Sequence, residues 1–320
     1  MNDRAALVAE LPPAMSATLV DLPETRTVVE AVLDVWPEHA SYLAKSFAAR
    51  TPAQLKATEL AAAAIRRLMA GDEARFARGY RWTCDRLREE ELFFHREGRY
   101  RLSTFAEANA EVYSNPDYMA PYVDGLLLTQ VLWFNHVATF EMFLRVLDDE
   151  AGAFDYLEVG PGHGLMVYFA AQAAGSAHME AWDVSAVSLR ETRSALDTLG
   201  VTKSVALTET DILSTAVPAR NFDLIVISEV LEHLEDPVTA LRFLANVLAP
   251  GGRIFVNVPL NSPSPDHIYL FSSPEEVRDA VAAAGLRIER EELFATQGRA
   301  IEKALANNVS VSAGLVLRSV

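Results

Sequence analysis

Residues 157–171 read LEVGPGHGLMVYFAA. An apolar run carries one acidic residue, Glu158, then meets three glycines at alternate positions, Gly160, Gly162 and Gly164, and passes into a stretch of helical character. Glycine accepts the positive φ that a tight turn demands and leaves no Cβ between the backbone and a bound molecule. The start of the next helix adds unpaired amides and the positive end of its dipole. Dinucleotide folds use a related turn for pyrophosphate, but their spacing is GxGxxG and this one is GxGxG. The difference favours another nucleoside ligand and argues against an NAD-dependent oxidoreductase.

Outward from this turn, short β-rich runs alternate with helices from Phe154 onward, the pattern of an open, mainly parallel sheet. Seven strands can be read: DYLEVG, HMEAWDV, SVALTET, FDLIVISEV, RIFVNVPL, LRIEREELF and VSVSAGLVLRSV. The last two are joined by Ala295 to Asn308 without a long helix, which predicts an antiparallel ending. The expected fold class is α/β: a seven-stranded Rossmann-like sheet, mostly parallel with the last strand antiparallel, preceded by a mainly helical N-terminal domain. The boundary falls near residue 150, giving domains 1–150 and 151–320.

The first domain is punctuated by prolines. Thr51 followed by Pro52 predicts a helix through Leu68 that Gly71 ends, and a second helix runs from Asp72 to about Leu92. Residues 93–95 and 99–102 then read as two short strands turning at Glu97 and Gly98, so that helix, helix and hairpin suggest a winged helix. The segment GLLLTQVLWFNHVATFEMFLRVL is too apolar for an isolated surface helix. Its partner is either the second domain or a second subunit, and a homodimer is expected.

Composition bounds the function. A formal charge of −16 opposes nucleic-acid binding, which needs clustered Lys and Arg against phosphates, and it discourages docking on anionic membranes. The acids in DEARFARGYRWTCDRLREEEL weigh against DNA recognition by the winged helix. No run of about 18 apolar residues is present for a membrane span. Met1 to Glu10 lacks the basic-then-apolar pattern of a secretory signal, and a lone cysteine, Cys84, fits a reducing compartment. A cytoplasmic protein is expected.

Four features in order, LEVGPGHG, AWDVS, TETDIL, and FDLIVISEVLEHLEDP with LAPGGRIFVNVP, resemble the class I S-adenosylmethionine-dependent methyltransferases, particularly the ubiquinone-biosynthesis type of small-molecule O-methyltransferase. The resemblance covers residues 154–290. It implies S-adenosylmethionine as cofactor and S-adenosylhomocysteine as product. Asp183, followed by Val184 at the end of the second strand, stands where an acid can accept both ribose hydroxyls. Asp211 and Ile212 occupy the positions where the family receives the adenine amino group and packs its ring. Glu158 and the Gly160 carbonyl would face the methionine ammonium, with Ser228 and Glu229 lining the same pocket.

Glu229, Glu232 and His233 form ExxEH, and His267 follows in PDHIYLF. Residues i, i+3 and i+4 of a helical turn share a face, and carboxylates with imidazoles suit Mg²⁺, Mn²⁺, Fe²⁺ or Zn²⁺. Some relatives of this class look metal-dependent through a similar pattern, and such an ion would lower the pKa of a substrate oxygen. Many others carry EVLEH with no metal, the histidine merely closing a turn against the sheet. Without a metal, His233 or His267 can serve as general base, and His136 is a further candidate. Tyr113, Tyr118, Trp133 and Phe134 either wall an aromatic substrate pocket or fill the helical core.

The sequence therefore predicts methyl transfer to a small-molecule acceptor of natural-product type, at oxygen, with the helical domain as substrate lid. The alternatives are a carbon or nitrogen methyltransferase acting on an amino acid, keto acid or peptide, and, from another class, a DNA-binding regulator that senses S-adenosylmethionine.

Overall fold

The computed structural model describes residues 11–320, so the Met1–Glu10 reading lies outside the described residues. The N-terminal part is helical: α1 (Pro13–Thr18), α2 (Pro23–Val35), α3 (Ala40–Ala48), α4 (Pro52–Met69), α5 (Glu73–Glu97), α6 (Phe105–Ala108), α7 (Pro116–Leu132) and α8 (Phe134–Asp148). The second half alternates β1 (Phe154–Val159), α9 (Leu165–Gln172), β2 (Ser176–Asp183), α10 (Ala186–Thr198), β3 (Val205–Glu209), β4 (Phe222–Ser228), α11 (Pro237–Val247) and β5 (Leu248–Leu260). It closes with α12 (Pro274–Ala283), β6 (Leu286–Ala295), α13 (Ile301–Ala306) and β7 (Val311–Ser319).

The seven strands form one sheet in the order β3-β2-β1-β4-β5-β7-β6. Strands β1 to β5 pair in parallel, and β7 runs antiparallel to both β5 and β6, as the lack of a long crossover helix predicts, α13 being only six residues. Strand order reverses between β1 and β4, and the crevice beyond the carboxyl ends at such a switch is where open α/β sheets bind ligands.

Alternation along β1 assigns its side chains to two cores. Phe154 and Tyr156 enter one, shared with α4, α8 and α9, whereas Leu157 and Val159 enter the other, shared with α11 and α12. Helix α8 belongs to the cover of the sheet: Phe143 meets Phe255 of β5 at 5.6 Å and Phe140 meets Phe169 of α9 at 5.0 Å. Each such buried ring contributes about 1.5–3 kcal/mol, which fixes α8 to the sheet.

Two expectations for the helical half need correction. The wing is not formed: residues 93–97 are the last turn of α5, and no strand occurs in residues 11–150. The helix runs on because Glu90 and Phe94, one turn apart, both bury, and because Gly98 takes the left-handed conformation at φ 69° that stops it. Tyr100 then packs on Phe94, so the aromatic residues that read as strands fill a helix-to-loop core. The regulator reading thereby loses the element that prompted it. The apolar segment 125–147 is also not one helix, since Trp133 adopts an extended conformation between α7 and α8. Thr51 caps α4 as expected, in a capping box with Gln54, and the helix stops where Ala70 and Gly71 both turn left-handed, at φ 50° and 84°. Among the described residues no helix is long and apolar enough to cross a membrane.

Candidate active site

The glycine turn sits at the switch point. Gly160, Gly162 and Gly164 all have positive φ, at 68°, 50° and 71°. A Cβ on Gly160 would stand 2.5 Å from Cγ2 of Val230, so that glycine lets β1 pack against the segment leaving β4. A Cβ on Gly162 would meet nothing within 4 Å, which leaves its backbone open to a ligand. Gly164 is the N-cap of α9 and no side chain caps that end.

Around the turn the carboxylates divide by environment. Glu158 is buried beside Tyr156, whose hydroxyl donates to it at 2.6 Å, and burial pushes its pKa up to about 8. Asp183 ends β2, with Oδ1 accepting from the Ser185 amide at 2.8 Å and Oδ2 from the Ser188 hydroxyl at 2.7 Å. Burial nonetheless raises its pKa, and each oxygen keeps a lone pair for a further donor. Val184 beside it is 48 % exposed.

Asp211 and Ile212 follow β3, in the turn beyond its carboxyl end. Asp211 accepts from the Leu213 amide at 2.9 Å and the Ser214 hydroxyl at 2.8 Å, which makes it the cap of its own turn. Ile212 packs into the core with Leu157 and Trp182, so Val184 is the apolar side chain left exposed next to Asp183.

Beyond β4, Glu229 holds a left-handed φ of 55°, strained for a residue with a side chain, and its amide donates to the Asn257 carbonyl at 2.9 Å. The Asn257 side-chain amide donates to Glu229 at 2.7 Å and to Ser228 at 3.3 Å. Burial pushes the Glu229 pKa up to about 7. This tether is why Glu229 stands apart from the proposed ligand set: the group whose ligand atoms all lie within 4.8 Å of one another is Glu232, His233 and His267.

Glu232 and His233 lie on a 3₁₀ turn, Leu231–His233, rather than on an α-helical turn. Glu232 is 0 % exposed and neither of its carboxylate oxygens has a hydrogen-bond partner. Burial and the neighbouring Glu229 raise its pKa well above the usual carboxylate range. His233 Nδ1 faces the Asp266 carbonyl at 3.0 Å and His267 Nδ1 the Ser262 carbonyl at 2.6 Å. A carbonyl only accepts, so both rings carry their proton on Nδ1 and turn an Nε2 lone pair inward. Each Nε2 lies 3.8 Å from the same oxygen, Oε1 of Glu232. Histidines whose outer nitrogen is tied to a carbonyl are oriented for coordination through the other, and a buried carboxylate with both oxygens unsatisfied is costly without a cation or proton.

Sequence reasoning missed most of the surrounding frame. Asp266 is buried, its Oδ1 accepting from Tyr122 at 2.7 Å and Ser264 at 2.9 Å and its Oδ2 from Tyr113 at 3.2 Å. The Tyr113 hydroxyl is also 3.2 Å from Nδ1 of His233. Tyr113 ends a π-helical turn, Asn109–Tyr113, that aims it at the site. Its neighbour Tyr118 stacks edge-on against Trp82 at 4.7 Å. Trp133 is half-buried beside the helical core: its indole donates to Tyr80 at 2.9 Å and its ring packs edge-on against His136 at 5.0 Å. Phe134 is buried against the Gly298 turn. The adjacency of Asp266 to His267 in PDH was the one signal available for the frame.

A family model described as a methyltransferase domain matches residues 136–308, more than half of the chain. The chain belongs to the methyltransferase-domain family. With its strand order and glycine turn, this methyltransferase is of the class I, S-adenosylmethionine-dependent type. It is 31 % identical over 102 residues to the ubiquinone biosynthesis O-methyltransferase of Ralstonia nicotianae, covering 31 % of this chain and 40 % of that one. It is 33 % identical over 101 residues to the ubiquinone/menaquinone biosynthesis C-methyltransferase of Cellvibrio japonicus, covering 31 % and 41 %. These alignments span less than half the length of the curated relatives. In fold it is similar to the mitomycin 7-O-methyltransferase MmcR, with a TM-score of 0.52 and 18 % identity over 78 % of this methyltransferase and 71 % of that chain. The residues present fit the family's cofactor: an open glycine backbone at Gly162, an acid with spare lone pairs at Asp183, and a buried carboxylate at Glu158 that a cation would satisfy.

Proposed function

We propose that this chain transfers a methyl group from S-adenosylmethionine to an oxygen of a small-molecule acceptor of natural-product type. One observation carries the reading: Gly160 packs on Val230, between Glu229 and Glu232, so the glycine turn and the Glu232–His233–His267 group, with its unpartnered Glu232 carboxylate, adjoin at one switch point. The cofactor supplies a methyl carbon already activated by its sulfonium. Asp183 takes the ribose hydroxyls, Glu158 faces the ammonium and becomes ionised by it, and Ser228 and Glu229 line the pocket beside them. Displacement requires nucleophile, carbon and sulfur in line with water excluded, a task for the N-terminal domain, 1–150, whose described helices would serve as lid over the cofactor domain, 151–320. Tyr113 and Tyr118 supply the aromatic side of the acceptor pocket.

A divalent cation such as Mg²⁺, Fe²⁺ or Zn²⁺ would be held by Glu232 and the Nε2 atoms of His233 and His267, and would lower the pKa of an acceptor hydroxyl. Without an ion, His233 is the better general base, because burial pushes His267 down to about 3 and leaves it too weak to take a proton at neutral pH. The names of the two relatives divide between oxygen and carbon acceptors. Oxygen is favoured here by a proton- or cation-binding group beside the glycine turn, which an acceptor hydroxyl needs. The enzyme is read as cytoplasmic and homodimeric. The test incubates purified protein with labelled S-adenosylmethionine and a panel of phenols, enols, amines and keto acids, with mass spectrometry of the products. Methylated phenol or enol, lost in Asp183→Ala, is expected; transfer only to amines or carbon overturns the oxygen assignment.

A further inference from the structure

We propose that His136 and His163 form a carboxylate-binding pair for the amino-acid end of the cofactor. His163 lies inside the glycine turn, between Gly162 and the N-cap of α9, and has no hydrogen-bond partner among the described residues; its Nδ1 is fully buried and unsatisfied. His136 lies in the first turn of α8, where Nδ1 is engaged by Thr129 at 3.0 Å and Gln130 at 3.2 Å and Nε2 is uncommitted. Helices α8 and α9 touch through Phe140 and Phe169. Neither helix has a side-chain cap, so both present open first-turn amides and the positive ends of their dipoles. Burial pushes both rings down to about 4, with His163 a further cause of the lowering at His136, so both stay neutral at pH 7.

The assignment rests on the S-adenosylmethionine reading, and on a mismatch of charge within it. An amino-acid tail brings an ammonium and a carboxylate. Carboxylates are plentiful for the first, yet no Lys or Arg among the described residues pairs with Glu158, Asp183, Glu229 or Glu232. A carboxylate entering such a site must be satisfied by neutral N–H donors and helix ends. Two neutral imidazoles with spare nitrogens, beside two uncapped helix starts, supply them next to the glycine turn.

The test compares two probes by calorimetry: S-adenosylhomocysteine and its decarboxylated analogue 5′-deoxy-5′-(3-aminopropylthio)adenosine, which keeps the ammonium. Wild type should bind the first more tightly. His136→Phe and His163→Phe should each weaken S-adenosylhomocysteine about tenfold, the scale of one hydrogen bond to a charged group, and leave the analogue within about twofold. His136→Gln and His163→Gln keep an N–H donor and should recover most of the affinity. Equal weakening of both probes, or none, overturns the pair. If wild type binds neither probe, the cofactor reading itself falls, and the pair with it.

Discussion

Tyr122 of α7 donates its hydroxyl to Asp266 at 2.7 Å, and through that bond a helix of the N-terminal half holds the loop that carries His267. Asp266 is buried, yet its pKa lies below the usual carboxylate range: burial works to raise it, and the two histidines with the hydroxyls of Tyr122 and Ser264 outweigh burial. Tyr122→Phe removes a hydrogen bond to a charged acceptor and should cost about 1.5–3 kcal/mol of stability. Urea unfolding checks this, and a loss under about 0.5 kcal/mol would show that Ser264 and Tyr113 alone satisfy Asp266.

The buried acids set a pH dependence. Burial raises the folded pKa values of Glu158 and Glu229 to about 8 and about 7, from the ordinary glutamate value of 4.5. Between those limits the folded state binds more protons than the unfolded chain, so the stability they contribute is complete below about 4.5 and is lost as pH rises through 7 and 8. Ligand-free protein should therefore melt at a lower temperature at pH 8.5 than at pH 6, about the range those values span. An ammonium facing Glu158 reverses the sign, so S-adenosylmethionine should raise Tm more at the higher pH. Scanning calorimetry with and without ligand reads both, and a flat ligand-free profile would contradict the burial argument.

Two glycines of the same turn should respond differently to alanine. Gly160→Ala drives a Cβ to 2.5 Å from Val230 at a φ of 68° and should destabilise the fold by about 1–3 kcal/mol. Gly162→Ala meets no protein atom, so its cost is confined to about 1 kcal/mol of left-handed strain while its methyl occupies space left for a ligand. Denaturant midpoints and S-adenosylhomocysteine titrations should separate the two: fold lost at one, binding at the other. Equal binding by Gly162→Ala and wild type would remove the turn from the cofactor site.

Glu232 offers a test of the cation. Protein purified without chelator should retain one divalent ion by elemental analysis, and EDTA should remove it. Glu232→Gln should carry no metal, yet the metal-free variant should be no less stable than metal-free wild type, because a neutral amide replaces a buried carboxylate with both oxygens unpartnered. Should wild type emerge metal-free and gain no stability from added Zn²⁺, Mn²⁺ or Mg²⁺, the group is left as a proton-holding site with His233 as base.

The glycine turn, the seven strands and the antiparallel ending were legible because each is a local pattern: positive-φ glycines between a strand and a helix, and period-two or short apolar runs between turns. The wing was misread for a local reason too. Phe93, Phe94 and Tyr100 suit strands by propensity, and only the burial of Phe94 along α5 decides for helix. At the site, Glu232, His233 and His267 were visible as a spacing, but the departure of Glu229 was not. It follows from an amide, Asn257, on a different strand.

The sequence by itself determined the class of the fold and the place of the glycine turn, since hydrophobic period and glycine position act over a few residues. Tertiary structure alone decided which polar groups were left without partners. Whether Glu232, His163 or His136 has a free atom depends on carbonyls, hydroxyls and helix ends brought from distant parts of the chain, and an unsatisfied buried atom is defined only when all its neighbours are in place.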